Sequence, residues 1–400
     1  MRLSPYGVLL LVETFVLVMC ILGFGWSSFL AIMHELGREF GVDVVHITFL
    51  QSIFCLSFAL TTVPAEVLSR KMDEEVIFGV GALVFGILMV LHRFLMGFTW
   101  FLIIFALMGV FASVFLVNLV KFLPRNFPQG KVREFGICGC IFLAYNTGSG
   151  ISVIVSVPLS VRIGGWRGIF LVYGLISIFF SILFFVMNRI FAHLYGPRMT
   201  RKEADGKGKI ELAFIRLLIV VMLLLFVLSG VWIGVTTQLP RVLLQCQWTL
   251  SEVGMILGAL FWSAVVGNLV ILFLQRKFVR KIQASTFLGS AAALAMLLMT
   301  LPSLHFFIWL GSVIIGFSLG SMEILIGSLI LERFPLDFSE VVLGVIVVML
   351  LIMVSVGGAL FSILLGLIGM ASLDRVYVFP VICSILLMLS VALMFLIPGD

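Results

Sequence analysis

The feature that most constrains this chain is a succession of long apolar runs separated by short polar connectors. A helix needs about 20 mostly apolar residues to cross a bilayer. Measured against that length, the sequence divides into twelve segments: about 5–32, 46–68, 74–92, 97–122, 135–160, 168–190, 213–238, 252–274, 284–301, 305–331, 340–368 and 376–397. In lipid every backbone polar group must be satisfied internally, which leaves helices or closed barrels. A barrel would show alternating stretches of about ten residues, whereas these runs are long and uniformly apolar. The chain of 400 residues is 62% hydrophobic and 11% charged, with a mean hydropathy of +1.28. A water-soluble fold of this size has no use for that much apolar surface. The expected fold class is an all-α membrane protein with twelve transmembrane helices. The first run is too long for a signal-peptide core and no small-residue cleavage site follows it, so it reads as the first span.

The most polar stretch lies between the sixth and seventh runs, Gly196-Pro197-Arg198-Met199-Thr200-Arg201-Lys202 and onward to Lys209. Its glycine, proline and charge content marks a linker. The chain therefore divides into an N-terminal six-helix bundle at 1–190, a cytoplasmic linker at 191–212 and a C-terminal six-helix bundle at 213–400. The halves echo one another. Phe127-Pro128 and Phe334-Pro335 are 207 residues apart, and Arg70-Lys71 and Arg280-Lys281 are 210 apart. Parallel repeats of this kind place a solute site between the halves near mid-membrane.

Basic residues set the orientation, because Lys and Arg collect in cytoplasmic loops. With both termini in the cytoplasm, all but six of the 25 Lys and Arg fall on that side, the exceptions being Arg38, Arg93, Arg162, Arg167, Arg241 and Arg375. The net charge of +6 thus reflects topology and gives no reason to expect a nucleic-acid partner. The expected location is the plasma membrane, as a multi-pass protein and a monomer in the lipid bilayer.

Several chemistries are disfavoured. The G-x-x-x-x-G-K-[ST] phosphate loop is absent from the sequence, so direct ATP drive is unsupported. Of Cys20, Cys55, Cys138, Cys140, Cys246 and Cys383, five lie in apolar runs, which argues against a disulfide framework. The five histidines show no metal-ligand spacing, and no cofactor is expected. A membrane-embedded enzyme would need clustered acids or an oriented His–acid pair. The one surface candidate, His34-Glu35, is adjacent in sequence and poorly oriented for joint work, so the chain does not read as an enzyme.

Three local patterns resemble the major facilitator superfamily, and the resemblance spans essentially the whole chain. Ala65-Glu66-Val67-Leu68-Ser69-Arg70-Lys71 is similar to that family's loop motif after the second span, with Ser69 in place of a glycine and Thr62 where the leading glycine would stand. Gly165-Trp166-Arg167-Gly168-Ile169-Phe170 opens the sixth span as it commonly does in the family. The course of the region from Phe127-Pro128 to Pro158-Leu159, with Gly25-Trp26 and Glu35 to Leu50, looks most like the monocarboxylate and oxalate–formate antiporter branch. That branch often carries basic residues in its cavity, and none is evident here. The resemblance implies two pseudo-symmetric bundles that alternate access around a central cavity. It also implies that Glu66, Arg70 and Lys71 form a gating loop, Glu66 and Arg70 pairing at the inner ends of helices; the plainer reading is a solvated loop obeying the positive-inside rule.

In the family the first, fourth, seventh and tenth spans line the cavity. The polar groups on those spans are Glu13; Asn118, with Lys121 one turn on; Trp232, Thr236 and Gln238; and Glu323. Glu13 lies about eight residues, or about 12 Å, from the inner end of its helix, and Glu323 lies at similar depth. An ionised carboxylate there costs several kcal/mol. Such a group persists where it faces water, finds a partner, or carries a proton. The bland alternative for Glu13 is a neutral carboxyl bonded to a neighbouring helix, and for Glu323 an ion pair with Arg333 or Lys121. Lys121 otherwise snorkels to the membrane edge. Asn146, in Asn146-Thr147-Gly148-Ser149-Gly150, is either a site residue or part of a close helix contact, and Asn268 reads as packing. The functional expectation is a secondary active transporter of a small organic solute, a monocarboxylate-like anion by resemblance, coupled to protons. The alternative is proton-coupled efflux of lipophilic or cationic compounds.

Overall fold

The computed structural model describes residues 5–42, 44–69, 71–126, 139–195, 212–274, 281–300, 305–333, 352–353, 355–357, 359–360, 363–364 and 375–397. The expected linker from 196 to 211, Arg70, Arg280, the two Phe-Pro pairs and most of the expected eleventh span lie outside the described residues, as does the side chain of Lys121. Among the described residues, ten helices are long and apolar enough to cross a membrane, and Val378–Met394 is a shorter apolar stretch.

The first span, α1, is longer than the sequence suggests. It begins at Pro5–Val18, passes through a π-helical segment at Met19–Phe24 and continues as Gly25–Phe40. It stops at Gly41, whose φ of 63° is a left-handed cap that suits glycine. The other helices are α2 (Val44–Ser69), α3 (Glu74–Leu91), α4 (Phe98–Asn126), α5 (Ala144–Ile163, entered through a π-helical Gly139–Leu143), α6 (Trp166–Tyr195), α7 (Leu212–Gln245), α8 (Leu250–Leu274), α9 (Lys281–Leu298), α10 (His305–Arg333) and α11 (Arg375–Met394). Large apolar side chains such as Leu60, Phe273 and Phe287 stand on the outer surface, as a lipid-facing surface requires and a water-facing one avoids.

The internal repeat is visible in matched helix crossings. A Cβ at Gly109 of α4 would sit 2.4 Å from the Phe54 carbonyl oxygen of α2, and a Cβ at Gly316 of α10 would sit 2.0 Å from the Leu260 carbonyl oxygen of α8. The glycines are 207 residues apart and their partners 206 (316 − 109 and 260 − 54). In each half, then, the second helix is pressed onto the fourth through a glycine that lets the backbones meet. Likewise α3 packs on α6 through Gly86 and Gly174, and α9 packs on α11, where Ser384 donates to the Ala293 carbonyl at 3.0 Å.

The Gly-Trp-Arg motif has a mechanical explanation. Gly164 and Gly165 take φ values of 82° and 80°, which reverse the chain between α5 and α6. A Cβ at Gly168 would lie 2.2 Å from the Ile163 carbonyl oxygen, so the turn closes only around a glycine. Trp166 Nε1 then donates to Glu39 Oε2 at 2.5 Å, Arg167 forms an ion pair with Glu39, and Arg167 also donates to the Leu95 carbonyl at 2.8 Å. Ser160 donates to Glu35 at 3.1 Å. The ends of α1, α3, α5 and α6 are thereby pinned together at one face of the bundle, which also engages Glu35, the acid of the His34-Glu35 pair, in packing.

Candidate substrate cavity

A cavity of about 350 Å³ lies between the two halves, within the size range of small-molecule sites. Its walls include Trp26 from α1, Phe58 from α2, Tyr145 from α5, Trp232 from α7 and Glu323 from α10. Both π-helical segments abut it: Leu22 lies in the first, and Ile141 and Phe142 in the second. A π turn is wider than an α turn and is frequent at functional sites. Here one precedes Trp26 and the other precedes Tyr145. The two helices that carry them touch where a Cβ on Gly23 would come within 2.6 Å of Gly148 Cα. Gly148 in the Asn-Thr-Gly-Ser-Gly run thus serves close packing.

The same run also builds the site. Asn146 on α5 donates through Nδ2 to Glu323 Oε2 on α10 at 3.0 Å. This is a side-chain bond from one half of the molecule to the other across 177 positions of sequence. Beside it, Trp232 Nε1 donates to the Tyr145 hydroxyl at 3.2 Å, again joining the halves. Among the described lining residues, Glu323 is the one side chain of the Asp, Glu, Lys and Arg types.

The halves also meet away from the cavity, toward the end of the bundle where α1 finishes. There α5 and α8 run together. A Cβ at Gly150 would lie 3.1 Å from Trp262 Nε1, Gly258 faces Ile154, and Gly254 faces Val157. Ser52 on α2 donates to the Ala359 carbonyl at 3.3 Å. The cavity walls continue the other way: Val120, Ile141 and Gly327 belong to the portions of α4, α5 and α10 nearest the end where α1 begins. Among the described residues the halves are therefore in contact at the far end, and this cavity is displaced toward the near end.

Other residues singled out in the sequence sit elsewhere. Glu13 is half-buried with one carboxyl oxygen enclosed and without a hydrogen-bond partner among the described residues, and it is not in the cavity wall. The π segment between Glu13 and Trp26 alters the helical phase, so a constant 3.6-residue period misjudges which face continues toward the cavity. Asn118 is buried and donates to the Val114 carbonyl of its own helix at 2.7 Å. Thr236 returns its hydroxyl to the Trp232 carbonyl at 3.0 Å, and Gln238 accepts from Arg241 at 3.1 Å. None of the three is in the cavity wall. Asn268 is fully buried between α8 and its neighbours. At the loop motif, Glu66 is buried in the last turns of α2, Ser69 donates to the Glu66 carbonyl at 2.7 Å, and Lys71 is exposed. Tyr145 went unnoticed in the sequence, although its adjacency to Asn146 in the polar run of an otherwise apolar span was a signal.

The helical composition, the two-fold repeat and a cavity on the seam define a membrane carrier of the two-bundle type. The family model "Major Facilitator Superfamily" matches residues 15–358, and the chain belongs to that family. Solved structures that share the fold include two of a bacterial homologue of the human lysosomal transporter Spinster. The inward-facing, occupied form has a TM-score of 0.69 at 14% identity, covering 99% of this chain and 97% of that one. The inward-facing, unoccupied form has a TM-score of 0.70 at 15% identity, covering 99% and 98%. In sequence, a segment of 161 residues is 25% identical to a "Probable L-galactonate transporter" of Escherichia coli (strain K12), covering 39% of this chain and 34% of that protein. The match thus spans about a third of that relative's length.

Proposed function

We propose that this protein is a secondary active transporter that carries a small organic solute by alternating access, with a proton carried by Glu323. The observation that supports this most is the Asn146–Glu323 bond: the acidic side chain of the described cavity wall is also a link between the halves. A carboxylate accepts a hydrogen bond more strongly than a neutral carboxyl does. Proton uptake at Glu323 weakens the link to Asn146, and a solute that engages the carboxyl competes for it. Either event changes the relative free energy of the closed arrangement, as a coupling group must. The far-end seam of α5 on α8 is the contact that opens in the opposite state. The distribution of Lys and Arg supports placing both termini in the cytoplasm, so that the cavity as seen lies toward the cytoplasm, in a plasma-membrane protein. Glu66, Arg70 and Lys71 act at the same face as the gating loop.

Glu13 remains a second candidate for proton coupling, because an enclosed carboxyl oxygen without a partner among the described residues is costly unless it titrates or meets water. The anion reading has less support. The described cavity wall offers no Lys or Arg as counter-charge, and a polyhydroxylated acid needs convergent polar groups that the largely apolar wall does not supply.

The test is a solute panel in proteoliposomes with and without an imposed pH gradient, comparing the parent with Glu323→Gln and Glu13→Gln. Glu323→Gln is expected to abolish gradient-driven accumulation while leaving solute exchange measurable. Intact accumulation in Glu323→Gln but not in Glu13→Gln would transfer the coupling role to Glu13.

A further inference from the structure

From the chemistry of the cavity wall we infer that the solute is an organic cation, an apolar body bearing one ammonium-type centre, whose charge is recognised by Glu323 and by the aromatic faces around it. The inference rests on reading this cavity as the solute site.

Three observations carry it. First, the acidic side chain of the described wall, Glu323, has no basic residue beside it among the described wall residues. An anion would meet an acid and no counter-charge in that wall, whereas a cation would favour the carboxylate form and pair with it. Second, the wall is rich in aromatic side chains from both halves. Trp26, Phe54, Phe58 and Tyr145 come from the first half and Trp232 from the second. Ring faces attract cations, most strongly where water is excluded. Trp232 stands edge-on to Phe261, with centroids 5.5 Å apart, and Trp26 edge-on to Phe54 at 4.7 Å, so these rings are held by packing.

Third, three of the donors around the site are already engaged. Trp232 gives its N–H to Tyr145, Asn146 gives an N–H to Glu323, and the Ser229 hydroxyl donates to the Phe226 carbonyl at 3.1 Å. An anion or a sugar acid recruits donors, and drawing on Trp232 or Asn146 would break bonds that join the two halves. A cation asks for acceptors and π faces, which the wall presents. The remaining wall, including Leu116, Leu228, Leu319 and Ile326, takes up the apolar body.

The probes are three molecules sharing one phenylbutyl body: 4-phenylbutylamine, positively charged at neutral pH; 4-phenylbutanol, neutral; and 4-phenylbutanoate, negatively charged. Binding to the purified full-length protein in detergent is followed by quenching of tryptophan fluorescence, since Trp26 and Trp232 line the cavity. The amine is expected to bind roughly tenfold tighter than the alcohol, and the acid more weakly than either. In Glu323→Gln the advantage of the amine over the alcohol is lost, while Glu323→Asp retains part of it. Equal binding of amine and acid by the parent overturns the inference, as does an undiminished preference for amine in Glu323→Gln. Should Glu323→Gln fail to fold, the parent's order of the three probes decides alone. No proton gradient enters this assay. Cation-selective binding without gradient-driven transport refutes the coupling reading only, and gradient-driven transport without cation selectivity refutes this inference only.

Discussion

The seam between α5 and α8 should control which face of the protein is open, and Gly150 is the place to load it. A Cβ there lies 3.1 and 3.2 Å from the Trp262 indole atoms Nε1 and Cδ1 and 3.4 Å from Phe261 Cβ. Ordinary carbon contacts fall at about 3.5–4.0 Å, so Gly150→Ala overlaps by a few tenths of an ångström and the indole can yield. Gly150→Val adds two further methyl groups toward the same ring and toward a Cβ fixed by its helix. Overpacking of this kind costs about 1–3 kcal/mol. The cost falls on the far-end-closed arrangement and is relieved when α5 and α8 part. It should therefore shift the population toward the far-end-open state by roughly 5- to 150-fold. Spin labels at Val161 and Ser251, both exposed near the far ends of α5 and α8, report the separation by double electron–electron resonance. A longer-distance population is expected to grow from parent to Gly150→Ala to Gly150→Val. If folded, monodisperse Gly150→Val gave the parent distance distribution, the seam would not be the moving contact. Gly258→Ala is the internal control: its Cβ meets the side chain of Ile154 at 2.5 Å, and Ile154 is exposed and free to turn away, so a smaller shift is expected.

Other outcomes follow from contacts already described. Gly316→Ala places a methyl 2.0 Å from the Leu260 carbonyl oxygen, a backbone atom that yields only if α8 and α10 separate. A loss of stability at or above about 3 kcal/mol should appear in thermal unfolding, and an unchanged transition would show that the crossing is looser than described. Gly41→Ala meets no atom within 4 Å but must hold φ at 63°, so its cost should be about 1 kcal/mol; a loss matching that of Gly316→Ala would point to an unrecognised contact. Arg167→Ala removes an ion pair whose side chains are 25% and 39% exposed. Solvent screening limits the pair to about 0.2–1 kcal/mol, and the bond to the Leu95 carbonyl adds about 1 kcal/mol, so a modest fall in melting temperature is expected, and a collapse of the fold would contradict that account.

Much of the architecture was legible in the sequence because the bilayer is a demanding solvent. It requires long apolar segments with internally satisfied backbones, so span number, the repeat and the two-bundle plan follow from hydropathy and the spacing of basic loops. The Gly165-Trp166-Arg167-Gly168 motif at the start of the sixth span was legible as a resemblance, but the left-handed φ values of Gly164 and Gly165 and the carbonyl within 2.2 Å of a Cβ at Gly168 came only with the structure. Glu323 and Trp232 could be nominated as polar groups on candidate cavity helices. What hydropathy does not encode is azimuth. All membrane helices are apolar nearly all round, so the face that meets a cavity is set by packing against neighbours and by local departures from the 3.6-residue period. The π segment at Met19–Phe24 is such a departure, and Glu13 lies before it, away from the cavity wall. The pairing of Asn146 with Glu323, and the closure of α5 on α8, needed the tertiary structure, because each joins residues that approach only when the two halves dock.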